Sequence, residues 1–70
     1  MPDSVYKIIE LVGTSTESWE KAAQLAIETA SSSLRDLRVA EVVKLDMTVE
    51  NGKVARFRTR INVSFKYENE

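Results

Sequence analysis

The chain has 70 residues, with 10 Lys and Arg against 11 Asp and Glu for a formal charge of -1, and it contains neither cysteine nor histidine. A chain this short buries only about 60% of its unfolded surface, and disulfides and the commonest zinc ligands are both missing, so oligomerisation is the support left to it. The near-neutral balance argues against a dedicated nucleic-acid binder, and no apolar run approaches the roughly 18 residues of a membrane span.

The start, "MPDSVYK", has neither the basic nor the apolar region of a secretion signal, so a single cytoplasmic domain over residues 1–70 is expected. Residues 5–12, "VYKIIELV", are β-branched and aromatic enough for a strand. Their apolar positions fall on both parities, which suits a strand covered on both faces. Gly13-Thr14-Ser15 then reads as a strand–helix turn. Ser15 is the expected N-cap, with Thr14 and Glu17 offering a capping box one residue earlier. Trp19, Ala22, Ala23, Ala26, Ile27, Ala30, Leu34 and Leu37 recur at steps of three and four. That spacing predicts an amphipathic helix of about five turns. Its stripe is largely alanine, so it can lie close against a sheet. "SSS" at 31–33 should weaken its end, with fraying near Asp36, and Glu17–Lys21 should pair on its exposed side.

From Val39 the period becomes two. Val39, Glu41, Val43, Leu45, Met47 and Val49 are expected on one face, and Ala40, Val42, Lys44, Asp46 and Thr48 on the other. Asn51-Gly52 is a strong two-residue hairpin signal. The return strand alternates Phe57, Thr59, Ile61, Val63, Phe65 and Tyr67 against Arg56, Arg58, Arg60, Asn62, Ser64 and Lys66. The fold class is therefore α+β, in the order β-α-β-β. One long helix packs on a three-stranded antiparallel sheet, with the long return strand in the middle. One helix cannot cover such a sheet, and further copies of the chain are its natural cover.

No catalytic constellation appears, since the nucleophile–base arrangements that need His or Cys are missing. "GTS" lacks the spacing of a phosphate cradle. Arg56, Arg58, Arg60 and Lys66 form a stripe suited to phosphate or carboxylate groups, or to pairing with acids on neighbouring strands. Asp46, Glu50 and Glu41 offer oxygen ligands for a calcium ion shared between copies. Trp19 reads as a core or interface anchor.

"VYKIIELVGTS", "SWEKAA", "LRVAEVV" and "VSFKYE" resemble the dodecins, over nearly the whole chain. The resemblance implies a hollow homododecamer of 23 symmetry that is not an enzyme, and in many members it implies flavins stacked in pairs between subunits. Flavin-binding members carry a tryptophan at the start of the second strand, two positions before a glutamate, and a glutamine in the third strand. The matching residues here are Val39, Glu41 and Arg58. The sequence is thus similar to the subgroup that lacks the flavin tryptophan, some of whose members bind calcium. The resemblance implies a small-ligand binding and storage protein with a degenerate flavin site. A working riboflavin or FMN buffer, a calcium binder and a purely structural shell are the alternatives.

Overall fold

The structure, a computed structural model, describes residues 3–67. Strand β1 spans Tyr6–Ser15, helix α1 Trp19–Ser31, strand β2 Leu37–Glu50 and strand β3 Lys53–Lys66. The sheet order is β1-β3-β2 with both pairings antiparallel, so the alternating return strand does lie in the middle. Glu50 pairs with Lys53 across Asn51 and Gly52, whose φ values of 53° and 75° are the positive pair that a type I′ turn requires.

The first two elements differ from the sequence expectation. β1 runs on through Gly13, Thr14 and Ser15, which pair with Thr59, Arg58 and Phe57. β3 is long enough to supply partners there, so pairing wins over the local turn chemistry. The N-cap moves to Ser18, whose hydroxyl accepts the Lys21 N–H at 3.0 Å, while Ser15 Oγ accepts the Glu17 N–H at 2.9 Å. Glu17 thus precedes the helix, and the expected pair with Lys21 is replaced by Gln24 donating to Glu28 at 3.0 Å. The helix has 13 residues and stops at the serines. Ser32 and Ser33 donate their hydroxyls to the carbonyls of Thr29 and Ala30, the competition for the backbone that ends a helix. Asp36, at φ 56°, then reverses the chain into β2.

Ala22, Ala26, Ala30 and Thr59 are buried, and Ala26 packs with Ile61 and Val63 in a core cluster ringed by Ile9, Leu11, Ala23, Ile27 and Leu37. Gly13 sits under this stripe, where a β-carbon would overlap the carbonyl oxygen of Ala22. The small side chains let the helix settle over β1 and β3, and it scarcely touches β2. The accessible surface is 5484 Å², against about 4,400 Å² for a compact monomer of this mass.

β2 does not alternate cleanly. One extra residue enters it between Leu37 and Val39 and another between Val42 and Lys44, while β3 carries an extra residue opposite Thr48/Val49. Each bulge resets which side chains share a face. The pairings put Leu37, Ala40, Val42, Leu45 and Met47 on the helix side and Val39, Glu41, Lys44, Asp46 and Thr48 on the open side. The face expected to hold Val39, Glu41, Leu45 and Met47 together is therefore split at Val43.

Candidate functional site

The open face of the sheet carries the residues that the sequence singled out. β3 supplies Arg58, Arg60, Asn62, Ser64 and Lys66 down its centre, and the antiparallel register adds one residue from each flanking strand to most of them. Ile8, Ser64 and Val39 share one rung; Glu10, Asn62 and Glu41 the next; Val12, Arg60 and Lys44 the next; Thr14, Arg58 and Asp46 the last of the four. The face passes from apolar through acidic to basic within a few residues.

Val39 is 61% exposed and accepts a hydrogen bond at its carbonyl from Ser64 Oγ at 3.3 Å. Its side chain offers an apolar surface with no aromatic face. Arg58 is engaged: its Nε donates to Asp46 Oδ1 at 2.8 Å and its Nη2 to Oδ2 at 3.3 Å, a two-pronged pair across neighbouring strands. The hydrogen bond from Arg58 holds the Asp46 carboxyl below its ordinary value, and Asp46 in turn raises Arg58. This is the one ion pair among the described residues. Val39 sits opposite Ser64 and Arg58 lies further along the same central strand, about 20 Å away at 3.3–3.4 Å per residue. Within one copy the structure does not bring Val39, Glu41 and Arg58 into a single pocket.

The acids expected to hold calcium are not gathered either. Glu41, Asp46 and Glu50 are strung along β2, Asp46 is committed to Arg58, and no group of three or more acidic ligands converges among the described residues. The sequence points to an acidic partner for Arg58 only in general terms. The Val42-Val43 doublet, which breaks the alternation of β2, is the signal that this strand bulges and turns Asp46 toward Arg58.

Trp19 lies on the other side of the sheet. Its ring meets Phe57 edge to face at 5.0 Å and 69°, its indole N–H donates to the Asp46 carbonyl at 2.9 Å, and Thr59 Oγ1 donates to its own carbonyl at 2.9 Å. It anchors the helix start to β2 and β3, as its place on the helical stripe suggested. A groove of about 450 Å³ also lies away from Val39 and Arg58, between α1 and β1 beside Leu11, Leu25 and Leu34. It is the seam left where one narrow helix meets the edge of a wider sheet.

A β-α-β-β chain with a long antiparallel hairpin and more sheet than its helix covers defines a small α+β module. The Dodecin family model matches residues 5–68, and the chain belongs to the dodecin family. It is 46% identical over 63 residues to the calcium dodecin of Mycobacterium tuberculosis, covering 90% of this chain and 89% of that one. It is 39% identical over 64 residues to a dodecin of Thermus thermophilus, covering 91% and 93%. Among solved structures, the dodecin of Streptomyces coelicolor superposes with a TM-score of 0.93 at 31% identity over the whole of both chains. The calcium dodecin of M. tuberculosis, described as calcium-chelating with a novel calcium-binding site, superposes with a TM-score of 0.83 at 46% identity, covering 96% of each chain. The chain is thus a member of a family of small-ligand binding proteins, and no helix among its described residues is long and apolar enough to cross a membrane.

Proposed function

We propose that this protein is a non-enzymatic, cytoplasmic small-ligand binding and storage protein, one domain over residues 1–70, that assembles as a homododecamer and whose flavin site is degenerate. The carrying observation is the state of the two positions that match the family's flavin contacts. Val39 presents no ring to stack on, and both prongs of Arg58 are taken by Asp46. Glu41, which matches the family's glutamate, stands on the intervening rung opposite Asn62. The separation of Val39 from Arg58 along the sheet means that a pocket using both draws them from different copies. The exposed apolar side chains of β2, among them Val42, Leu45 and Met47, and the excess accessible surface supply the area for such contacts. A stable interface takes about 800 Å² from each partner.

Titration of riboflavin and FMN against wild type, Val39→Trp, Arg58→Gln and the double variant, read by quenching of flavin fluorescence, tests this reading. An aromatic stack is worth about 0.5–1.5 kcal/mol beyond its buried area, so restoring it should tighten binding roughly tenfold or more. The double variant should bind best, because Arg58→Gln also frees the position from Asp46. Submicromolar binding by the wild type would overturn the reading and make the chain a working flavin buffer.

Calcium is the second reading, favoured by the 46% identity to a calcium dodecin. The donors this sheet offers are Glu10 and Glu41, which flank Asn62 on one rung of the open face and make no ion pair among the described residues. Neighbouring residues on a rung have Cα atoms about 4.5–5.5 Å apart. Three oxygen-bearing side chains therefore stand close enough to share a hard cation, whose remaining ligands would be water or another copy.

A further inference from the structure

Cross-strand partners in this sheet are chosen with regard to charge, with one exception. Asp46 faces Arg58 and Glu50 faces Lys53, but Lys44 faces Arg60. Directly opposed side chains have β-carbons about 4.5–5.5 Å apart, and like charges there destabilise the sheet. The exception is imposed by the bulge at Val43. In an unbroken β2 the residue after Val42 would stand opposite Arg60, and it is valine; the inserted residue brings Lys44 there instead. The bulge that brings Asp46 to Arg58 thus also trades a neutral partner of Arg60 for a repulsive one.

No acid among the described residues pairs with either cation, Lys44 or Arg60. The acid on the next rung in one direction, Asp46, is committed to Arg58. In the other direction Glu10 and Glu41 flank Asn62, and neither reaches Lys44 or Arg60 within salt-bridge distance. Both cations also help to lower the Asp46 carboxyl, so their field extends over the adjoining rung. The third residue of the rung, Val12, is 45% exposed and leaves an apolar spot beside the charges.

We propose that Lys44 and Arg60 form an anion site on the open face of the sheet that takes the phosphate group of a small molecule. Arg60 supplies a planar fork of N–H donors and Lys44 a mobile ammonium, and a doubly charged phosphate has acceptor oxygens for both. The repulsion carried by the empty site is relieved when the anion binds. The site lies on the rung beside Arg58 and Asp46 but uses neither Val39 nor Arg58 as a ligand, so it stands whether or not the protein holds flavin.

Calorimetric titration of the assembled protein with inorganic pyrophosphate, ADP and adenosine at low ionic strength tests it. Pyrophosphate should bind, adenosine should not, and ADP tighter than pyrophosphate would mark a nucleotide, and the reverse order a free phosphate, as the source of the group. Lys44→Gln and Arg60→Gln should each weaken pyrophosphate binding roughly tenfold, the worth of one charge-assisted hydrogen bond. Lys44→Arg, which keeps the charge, should retain binding, and Arg56→Gln, four residues from Arg60 on the same stripe, should leave it nearly unchanged. In buffer without multivalent anions, Lys44→Gln should melt at the same temperature as wild type or above it, because a repulsion is removed. No pyrophosphate binding by the wild type, equal binding by all variants, or a lower melting temperature for anion-free Lys44→Gln would overturn the proposal.

Discussion

Replacing Gly13 by alanine should unfold the protein far more readily than its single added methyl suggests. Gly13 is buried on the helix side of β1, opposite Thr59. A β-carbon there overlaps the Ala22 carbonyl oxygen and lies 2.9 Å from its carbon and 3.1 Å from the Ala26 β-carbon. The first two obstacles are helix backbone and cannot rotate aside, so α1 itself must lift off the sheet. Overpacking of a core costs about 1–3 kcal/mol, and a backbone obstacle puts this case at the upper end. Alanine recovers roughly 0.5–1 kcal/mol because it orders more cheaply than glycine in a strand. The net loss should be about 2 kcal/mol, or a fall of roughly 8–16 °C in Tm for a domain of this size.

Circular dichroism melts at one fixed protein concentration measure it, because the stability of the proposed oligomer depends on concentration. Gly52→Ala is the informative companion. Nothing lies within 4 Å of the β-carbon it adds, and its cost comes only from holding alanine at a φ of 75°, about 1–2 kcal/mol. A Gly13→Ala protein that melts with the wild type would refute the close seating of the helix on β1, and with it the account of why the stripe is alanine.

Two further outcomes follow from the same geometry. Trp19→Ala should cost about 2 kcal/mol, less than the roughly 3–5 kcal/mol of a fully buried aromatic, because the ring is half-buried; Trp19→Phe should recover part of it in the same melts, keeping the contact with Phe57 but losing the bond to the Asp46 carbonyl. Asp46 is held below its ordinary value of 3.8 in the folded protein, so its pairing supports the fold at neutral pH and is lost as acid titrates it below that value; the gap in stability between wild type and Asp46→Asn should be open at pH 6 and close below about pH 4, and a gap that persists unchanged into acid would refute the assignment.

Much of the fold was legible because its signals are local. The alternation of β3, the Asn51-Gly52 turn and the alanine stripe each declare themselves within a few residues. What was not legible depends on partners distant in the chain. Gly13-Thr14-Ser15 has the chemistry of a turn, and only the length of β3, more than forty residues later in the chain, makes it strand. The helix cap then moves to Ser18, a residue as suitable as Ser15 and chosen by where the sheet releases the chain. The faces of β2 were misjudged after Val42 because a bulge is a property of two paired strands. The basic stripe of β3 was visible, but which of its members is paired and which is not depends on that register.

The bulge at Val43 connects the interior to the candidate site. By shifting the faces of β2 it sends Leu45 and Met47 to the helix side, where Phe57 and Trp19 stand, and sends Lys44 and Asp46 to the open side beside Arg60 and Arg58. Asp46 then serves both sides of the sheet, its carbonyl accepting from Trp19 and its carboxylate from Arg58. The side chain that occupies Arg58 is therefore carried on a backbone fixed by the helix anchor. Loosening Trp19 should loosen the Asp46–Arg58 pair, whereas removing the Asp46 carboxylate leaves the bond from Trp19 to the backbone in place. That asymmetry separates substitutions that change what the open face can bind from substitutions that change whether the face is built at all.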